Sequence, residues 1–229
     1  MGQTENRRFI YGRRQGHRLH PRQAKLVDSL LPTLRLDLAQ AKTLDKCFDR
    51  PRQSYALEIG FGGGEHLAAR AAANPDTGYI GCEPFINGVA TLLSELDRHQ
   101  IQNVRIFDDD ARILLSKLPT ASVSKIYVLF PDPWPKTRHN RRRFINPETL
   151  SSLSRVAKDK ASFVFASDHM GYVAWTLAET QRHPDWLWLA NGPEDWRQQP
   201  EDWVPTRYGA KALRKGDKPA YLTFMRKKR

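Results

Sequence analysis

The chain alternates short apolar runs with longer amphipathic ones. Tyr55, Ala56, Leu57 and Ile59 make a run that stops at glycine, and comparable runs recur at 78–82, 104–107, 124–130, 161–166, 186–190 and 221–225. Each has the length and composition of a strand. Between them, apolar residues return at helical spacing. An alanine-rich run over 65–73 is stopped by Asn74-Pro75, and Val89, Leu92, Leu93 and Leu96 share one face. A short helix is expected over 111–117. Leu150, Leu153 and Val156 follow a start signal at Asn146-Pro147, and Met170, Val173, Leu177 and Ala178 mark a further helix. Strands alternating with helices predict an α/β fold with a doubly wound, Rossmann-like sheet, mainly parallel, with an antiparallel C-terminal strand. Upstream, Pro21 opens a helix with Ala24, Val27, Leu30 and Leu31 on one face, ended by Pro32. Residues 32–52 are mixed and predict no definite element. The acidic, proline-rich stretch 193–205 reads as a loop, and the tryptophans near it as core or loop staples.

A chain of 229 residues accommodates one large α/β domain and is short for two. The expected organisation is a basic N-terminal arm over 1–25, followed by a single domain over 26–229. No apolar run approaches the roughly 18 residues of a membrane helix, and the first residues carry no apolar signal segment. Cys47 and Cys82 form no C-x-x-C pattern. A reducing cytoplasm is therefore the expected setting, with no membrane association. His17 and His20 have no thiolate or carboxylate cluster beside them, so no metal site is expected.

The turn after residue 59 carries the first chemical signal. Gly60, Gly62 and Gly64 alternate, and Glu65 stands where a pyrophosphate-binding G-x-G-x-x-G turn places its third glycine. Glu58, just ahead of the turn, would repel a phosphate but suits a ligand with a cationic end. S-adenosylmethionine has an ammonium, a sulfonium and no phosphate. Glu83 closes the second strand about 20 residues later, where an acid accepts hydrogen bonds from a ribose diol. Asp108, Asp109 and Asp110 follow the third strand. Of these Asp110 suits an adenine amino group, while a polar loop with a helix cap is the plainer reading.

Charge widens the picture. The net charge is +12 and the pI about 9.9, which expects a polyanion, and the lack of a basic amphipathic helix with large apolar residues favours nucleic acid over membrane. Arg7, Arg8, Arg13, Arg14, Arg18, Arg22 and Lys25 cluster at the start with Phe9 and Tyr11 among them. That arm suits phosphate contact with base stacking, or equally a solvated tail. The fourth strand empties into Pro131-Asp132-Pro133-Trp134-Pro135-Lys136, where three prolines stiffen the backbone. In a doubly wound sheet that loop lies beside the glycine turn. Arg138, Arg141, Arg142 and Arg143 continue it as a cationic surface.

Leu-Glu-Ile-Gly-Phe-Gly-Gly-Gly at 57–64, Gly-Cys-Glu-Pro at 81–84, Pro-Asp-Pro-Trp-Pro-Lys at 131–136, Ser-Asp-His at 167–169 and Tyr-Gly-Arg-Arg-Gln-Gly-His at 11–17 resemble the tRNA (guanine-N7)-methyltransferase family. The proline loop is the most specific of these motifs. The resemblance implies the class I methyltransferase variant of the fold and methyl transfer from S-adenosylmethionine to N7 of guanine 46 in tRNA. It also implies a guanine-facing segment at Thr206, Arg207, Tyr208 and Gly209, where the family usually has Thr-x-Tyr or Thr-x-Phe followed by Glu. Gly209 replaces that Glu, which would remove an acceptor for the guanine base.

Guanine N7 has an in-plane lone pair and no proton at neutral pH, so alignment and electrostatics should carry the rate. Asp132 is the expected catalytic carboxylate and also a cofactor contact. Glu58, Glu83 and Asp110 are expected to hold the cofactor, with Gly60 and Gly62 giving it room. Lys136, Asp168, Thr206, Arg207, Tyr208 and Gly209 are expected at the substrate. Two rivals remain at this level. A nicotinamide-dependent oxidoreductase shares the fold but not the glycine spacing, and a non-catalytic tRNA-binding module would fit the loss at Gly209.

Overall fold

The computed structural model describes residues 11–201 and 203–229. Seven strands form one sheet: β1 (Ser54–Ile59), β2 (Thr77–Cys82), β3 (Val104–Phe107), β4 (Val123–Leu129), β5 (Ala157–Ser167), β6 (Trp186–Trp188) and β7 (Ala220–Arg226), in the order β3-β2-β1-β4-β5-β7-β6. The first five are parallel, and β7 runs antiparallel to both β5 and β6. The chain winds from β1 outward to β3, then returns to the other side of β1 with β4. The topological switch therefore lies between β1 and β4, and ligands of such sheets bind at the strand ends there.

Alternation along β1 sorts the two faces. Tyr55, Leu57 and Ile59 enter one apolar cluster, which is built with α5 (Ala111–Leu115), α6 (Pro147–Val156) and α7 (Met170–Arg182). Ala56 enters the other, under α1 (Pro21–Ser29), α2 (Leu31–Leu34), α3 (Glu65–Ala73) and α4 (Ile86–His99). Glu58 follows the same period of two and so shares the face of Ala56. Over β4, β5 and β7 that second face has a smaller cluster of Tyr127, Leu129, Ala166 and Tyr221, with Phe130 and Trp203 packed on it. Trp203 stands 4.7 Å from the Tyr221 ring and 6.0 Å from His66, and thus serves as the loop staple expected of a tryptophan here.

Boundaries differ where polar residues break a pattern. β5 begins at Ala157, four residues earlier than the apolar run, because Ala157 already pairs with Val123; the strand then bulges through Lys158, Asp159 and Lys160 before pairing resumes with Ser162 opposite Lys125. β6 ends at Trp188. The unassigned stretch 32–52 folds as α2 and two 3-10 turns, Gln40–Lys42 and Leu44–Cys47, burying Leu36, Ala41, Leu44, Cys47 and Phe48. A three-residue repeat of that kind leaves no 3.6-residue signature. One short helix, α8 (Glu194–Arg197), lies within the predicted loop, and α9 (Arg207–Arg214) follows it. α6 has the expected start, with Pro147 in its first turn and a reciprocal capping box between Asn146 and Thr149.

The described part of the arm lies along the domain. Arg14 pairs with Asp109 at 2.5 Å, the Ile86 N–H donates to the Arg14 carbonyl, and Asn87 holds the Gly16 N–H and the His17 carbonyl. Arg22 pairs with Asp97 of α4. Arg7, Arg8 and Phe9 lie outside the described residues. No helix among the described residues is long and apolar enough to cross a membrane.

Candidate active site

A cavity of about 360 Å³ opens at the switch point, over the C-terminal ends of β1, β2, β3 and β4. Its floor is the glycine turn. Gly60 and Gly62 have φ of +71° and +57°, in the region that an L side chain rarely enters. A Cβ on Gly60 would project into open space, and one on Gly62 would meet the Tyr208 ring at 2.9 Å. The turn thus presents bare backbone to the cavity, with Tyr208 as its far wall.

Two acidic walls rise from neighbouring strands. Glu83, at the end of β2, accepts from the Gly62 N–H at 2.8 Å through Oε2 and from the Phe85 N–H at 3.0 Å through Oε1. These bonds tie it to the glycine turn. Burial pushes its carboxyl above the usual range, the two backbone donors oppose the shift, and the negative charge of Asp132 adds to it. Asp110 caps α5, accepting from the Arg112 N–H at 2.9 Å through Oδ1, while its residue also lines the cavity. Cap and ligand wall are compatible here. Of its neighbours, Asp108 takes a two-pronged bond from Arg35 (3.0 and 2.7 Å), and Asp109 meets Arg14 while also lining the cavity.

Glu58 is not brought to this cavity. It is 3 % exposed on the opposite face of β1, and its Oε2 lies 2.7 Å from His66 Nδ1 of α3. The strand's period of two turns residue 58 toward α3 while residue 59 faces the cavity.

The opposite wall is the proline loop. Asp132 is exposed and lines the cavity between two non-glycine residues with positive φ, Phe130 at +49° and Trp134 at +45°. Such conformations cost about 1–3 kcal/mol each and persist only when their surroundings over-determine them. Those surroundings are visible. The Phe130 N–H donates to the Ala166 carbonyl at 2.7 Å, and Arg143 Nε donates to the Pro133 carbonyl at 2.9 Å. Arg143 is 4 % exposed, and its guanidinium lies 5.0 Å from the Tyr172 ring and 5.3 Å from Trp175. One of the four loop arginines expected at the surface is therefore an internal clamp on the residue after Asp132. Arg142 is held over Tyr11 (5.1 Å) and Trp134 (5.0 Å), closing the cavity from the arm side. Nothing in the sequence pairs these three, because Tyr11 and Trp134 are more than a hundred residues apart.

Lys136 and Asp168 are exposed at the same strand-end edge, Lys136 before the 3-10 turn Thr137–Arg142 and Asp168 after β5. Neither lines the cavity. Thr206 caps α9, accepting from the Gly209 N–H at 3.0 Å. Arg207 is exposed, and Tyr208 is half-exposed over the glycine turn. Gly209 is buried, and a Cβ there would meet the Phe130 ring and Thr206 Oγ1 at 3.1 Å. A Cβ at position 209 thus points at Phe130, whose ring stands between it and the cavity that Phe130 lines. With Thr206 at the N-cap, residue 209 is the third helical position, where a Glu reaches back to the cap in a capping box. Gly209 keeps the forward half of that box and lacks the return half.

The match to a family described as "Putative methyltransferase" spans residues 52–222. A tRNA (guanine-N(7)-)-methyltransferase of Rhodospirillum rubrum is 49 % identical over 231 residues, covering 99 % of this chain and 90 % of that protein. One of Chelativorans sp. (strain BNC1) is also 49 % identical, covering 95 % of this chain and 94 % of its own length. Among solved structures, a 16S rRNA methyltransferase aligns with a TM-score of 0.57 at 16 % identity, covering 84 % of this chain and 94 % of its own, which bears on the fold alone. With near full-length identity approaching one half, this chain belongs to the tRNA (guanine-N7)-methyltransferase family.

Proposed function

We propose that this enzyme transfers a methyl group from S-adenosylmethionine to N7 of guanine 46 in tRNA. The observation that carries the reading is the cavity's composition. Two carboxylates, Glu83 and Asp110, stand at the ends of adjacent strands beside open space over Gly60, and a third, Asp132, faces them across the switch point. The arginines that line the cavity, Arg13, Arg112 and Arg142, come from other segments, while the glycine turn itself is bonded to Glu83, which suits an uncharged diol there and disfavours a pyrophosphate. When bound, S-adenosylmethionine supplies a methyl group on a sulfonium, ready for in-line attack. Glu83 would hold the ribose hydroxyls and Asp110 the adenine amino group. Asp132 needs to remove no proton from N7. Its charge opposes the positive charge that grows on the purine, and an oxygen can hold a ring N–H. Lys136, Asp168 and Thr206 would position the nucleotide. The buried free thiols of Cys47 and Cys82 fit a cytoplasmic setting.

The test is to methylate a tRNA transcript, digest it and locate the modified base by mass spectrometry. N7-methylguanine at tRNA position 46 is expected, and it should be lost from a transcript carrying adenine in place of that guanine. Methylation on N1 or N2, or undiminished incorporation into the adenine-substituted transcript, overturns the reading.

Truncating Glu83 to Ala should weaken S-adenosylmethionine by about tenfold to a hundredfold, since it leaves ligand hydroxyls and the Gly62 and Phe85 N–H groups without an acceptor at about 1–3 kcal/mol. Acid should do the same to the wild type. Diol recognition uses the ionised carboxylate, and burial raises its pKa, so affinity should fall on acidification from a higher pH than an ordinary Glu would give. Calorimetry from neutral into acidic pH checks both, and an equal acid loss in Glu83→Ala would assign the effect to another group.

A further inference from the structure

Tyr208 has two sides. One closes the cavity over the glycine turn, and the other borders a separate surface hollow of about 370 Å³ whose remaining lining is Arg207, Lys211 and Arg214. These cations stand at i, i+4 and i+7 on α9, so they fall in one row about 10 Å long on the outer face of the helix. The inner face is Gly209 and Ala212, buried against the domain. All three cations are exposed, and none is paired with a carboxylate among the described residues. The ring that walls off the reacting base is thus also the wall of an unneutralised cationic trough.

We propose that this hollow is a phosphodiester subsite that takes the tRNA backbone next to the target guanine, with Lys211 and Arg214 as its principal cations. The inference rests on the function proposed above. A base held between Asp132 and the glycine turn must lead its chain out past a wall of the cavity, and the far side of the Tyr208 wall is positive. The loop cations Arg138, Arg141 and Arg142 follow the proline loop, so the backbone would be gripped on both sides of the target base. Arg207 begins the row, and Thr206 fixes its direction through the cap on α9.

The experiment compares tRNA binding by the wild type, Lys211→Ala/Arg214→Ala and Lys42→Ala/Lys46→Ala over a series of KCl concentrations. The control pair removes the same charge beside the N-terminal end of β1, away from the cavity. Each neutralised phosphate contributes about 0.7–0.9 to the log–log salt slope. The α9 pair should flatten the slope by about 0.7 to 1.8 and the control should not. S-adenosylmethionine affinity and the single-turnover rate at saturating tRNA should stay at wild-type values in the α9 variant. Lys211→Gln/Arg214→Gln repeats the test with longer side chains should the alanine pair unfold α9. A wild type that methylates tRNA, with a slope unchanged in the α9 variants or equally flattened in the control, overturns the subsite alone. A wild type that binds tRNA without methylating it overturns the function instead, while the slopes still decide the hollow.

Discussion

Asp132→Asn should lower the single-turnover rate of methyl transfer by about 100- to 1000-fold, the usual loss on removing a preorganised electrostatic partner. The substitution keeps the shape of the side chain and one acceptor oxygen, so tRNA affinity should change little. The expectation is sharpened by the loop around it. Phe130 and Trp134 hold left-handed conformations on either side, and the Arg143 fork fixes the Pro133 carbonyl. An aspartate mounted on such a frame spends little energy in reorganising when charge appears on the purine. A second variant separates charge from frame. Arg143→Lys keeps a cation in the Tyr172–Trp175 sandwich but loses the planar fork that reaches Pro133 and Gly171. It should cost less than Asp132→Asn and should raise KM for tRNA as well as lower kcat, because a loosened loop misplaces the nucleotide along with the charge. Near-normal single-turnover chemistry in Asp132→Asn would make Asp132 an anchor of the loop and remove it from the reaction.

Much of this site can be read along the chain because it sits at strand ends. A carboxylate at the end of the second strand and another after the third reach one cavity in any sheet that winds this way, and Glu83 and Asp110 do so here. The directions that cannot be read this way have a common cause. Glu58 is close to the glycines in sequence, but a residue inside a strand is aimed by parity, and parity sends it to His66. Arg143 belongs to a run of surface cations in the sequence, yet the end of a 3-10 turn rotates it inward onto two rings. Gly209 reads as a missing ligand, whereas α9 turns that position toward Phe130. In each case the residue type is informative and its direction is set by an element whose geometry the pattern does not reveal.

Gly88→Ala should be the most damaging single added methyl group among the described glycines. Gly88 lies in the first turn of α4, and a Cβ there would stand 2.2 Å from the Gly62 carbonyl oxygen and 3.0 Å from the Gly62 carbonyl carbon. The obstacle is backbone, so no rotamer relieves it. Either α4 withdraws from the sheet, opening the packing of Val89, Leu92 and Leu93, or the glycine turn lifts into the cavity. The second path needs less of the core to move, but it pulls the Gly62 N–H off Glu83 and carries the floor of the site toward Tyr208. Overpacking costs typically about 1–3 kcal/mol, and a backbone clash in the middle of a site belongs at the upper end. The melting temperature should fall, and S-adenosylmethionine affinity should fall by at least as much as in Glu83→Ala, because the turn and the carboxylate are displaced together. Asp110→Ala supplies the contrast: it removes one acceptor and one helix cap and leaves the turn in place, so its loss of affinity should stay smaller. Thermal melts and calorimetry on the two variants decide the matter. Wild-type affinity in Gly88→Ala, with only the melting temperature lowered, would mean that α4 gives way and that the glycine turn is the stiffer of the two.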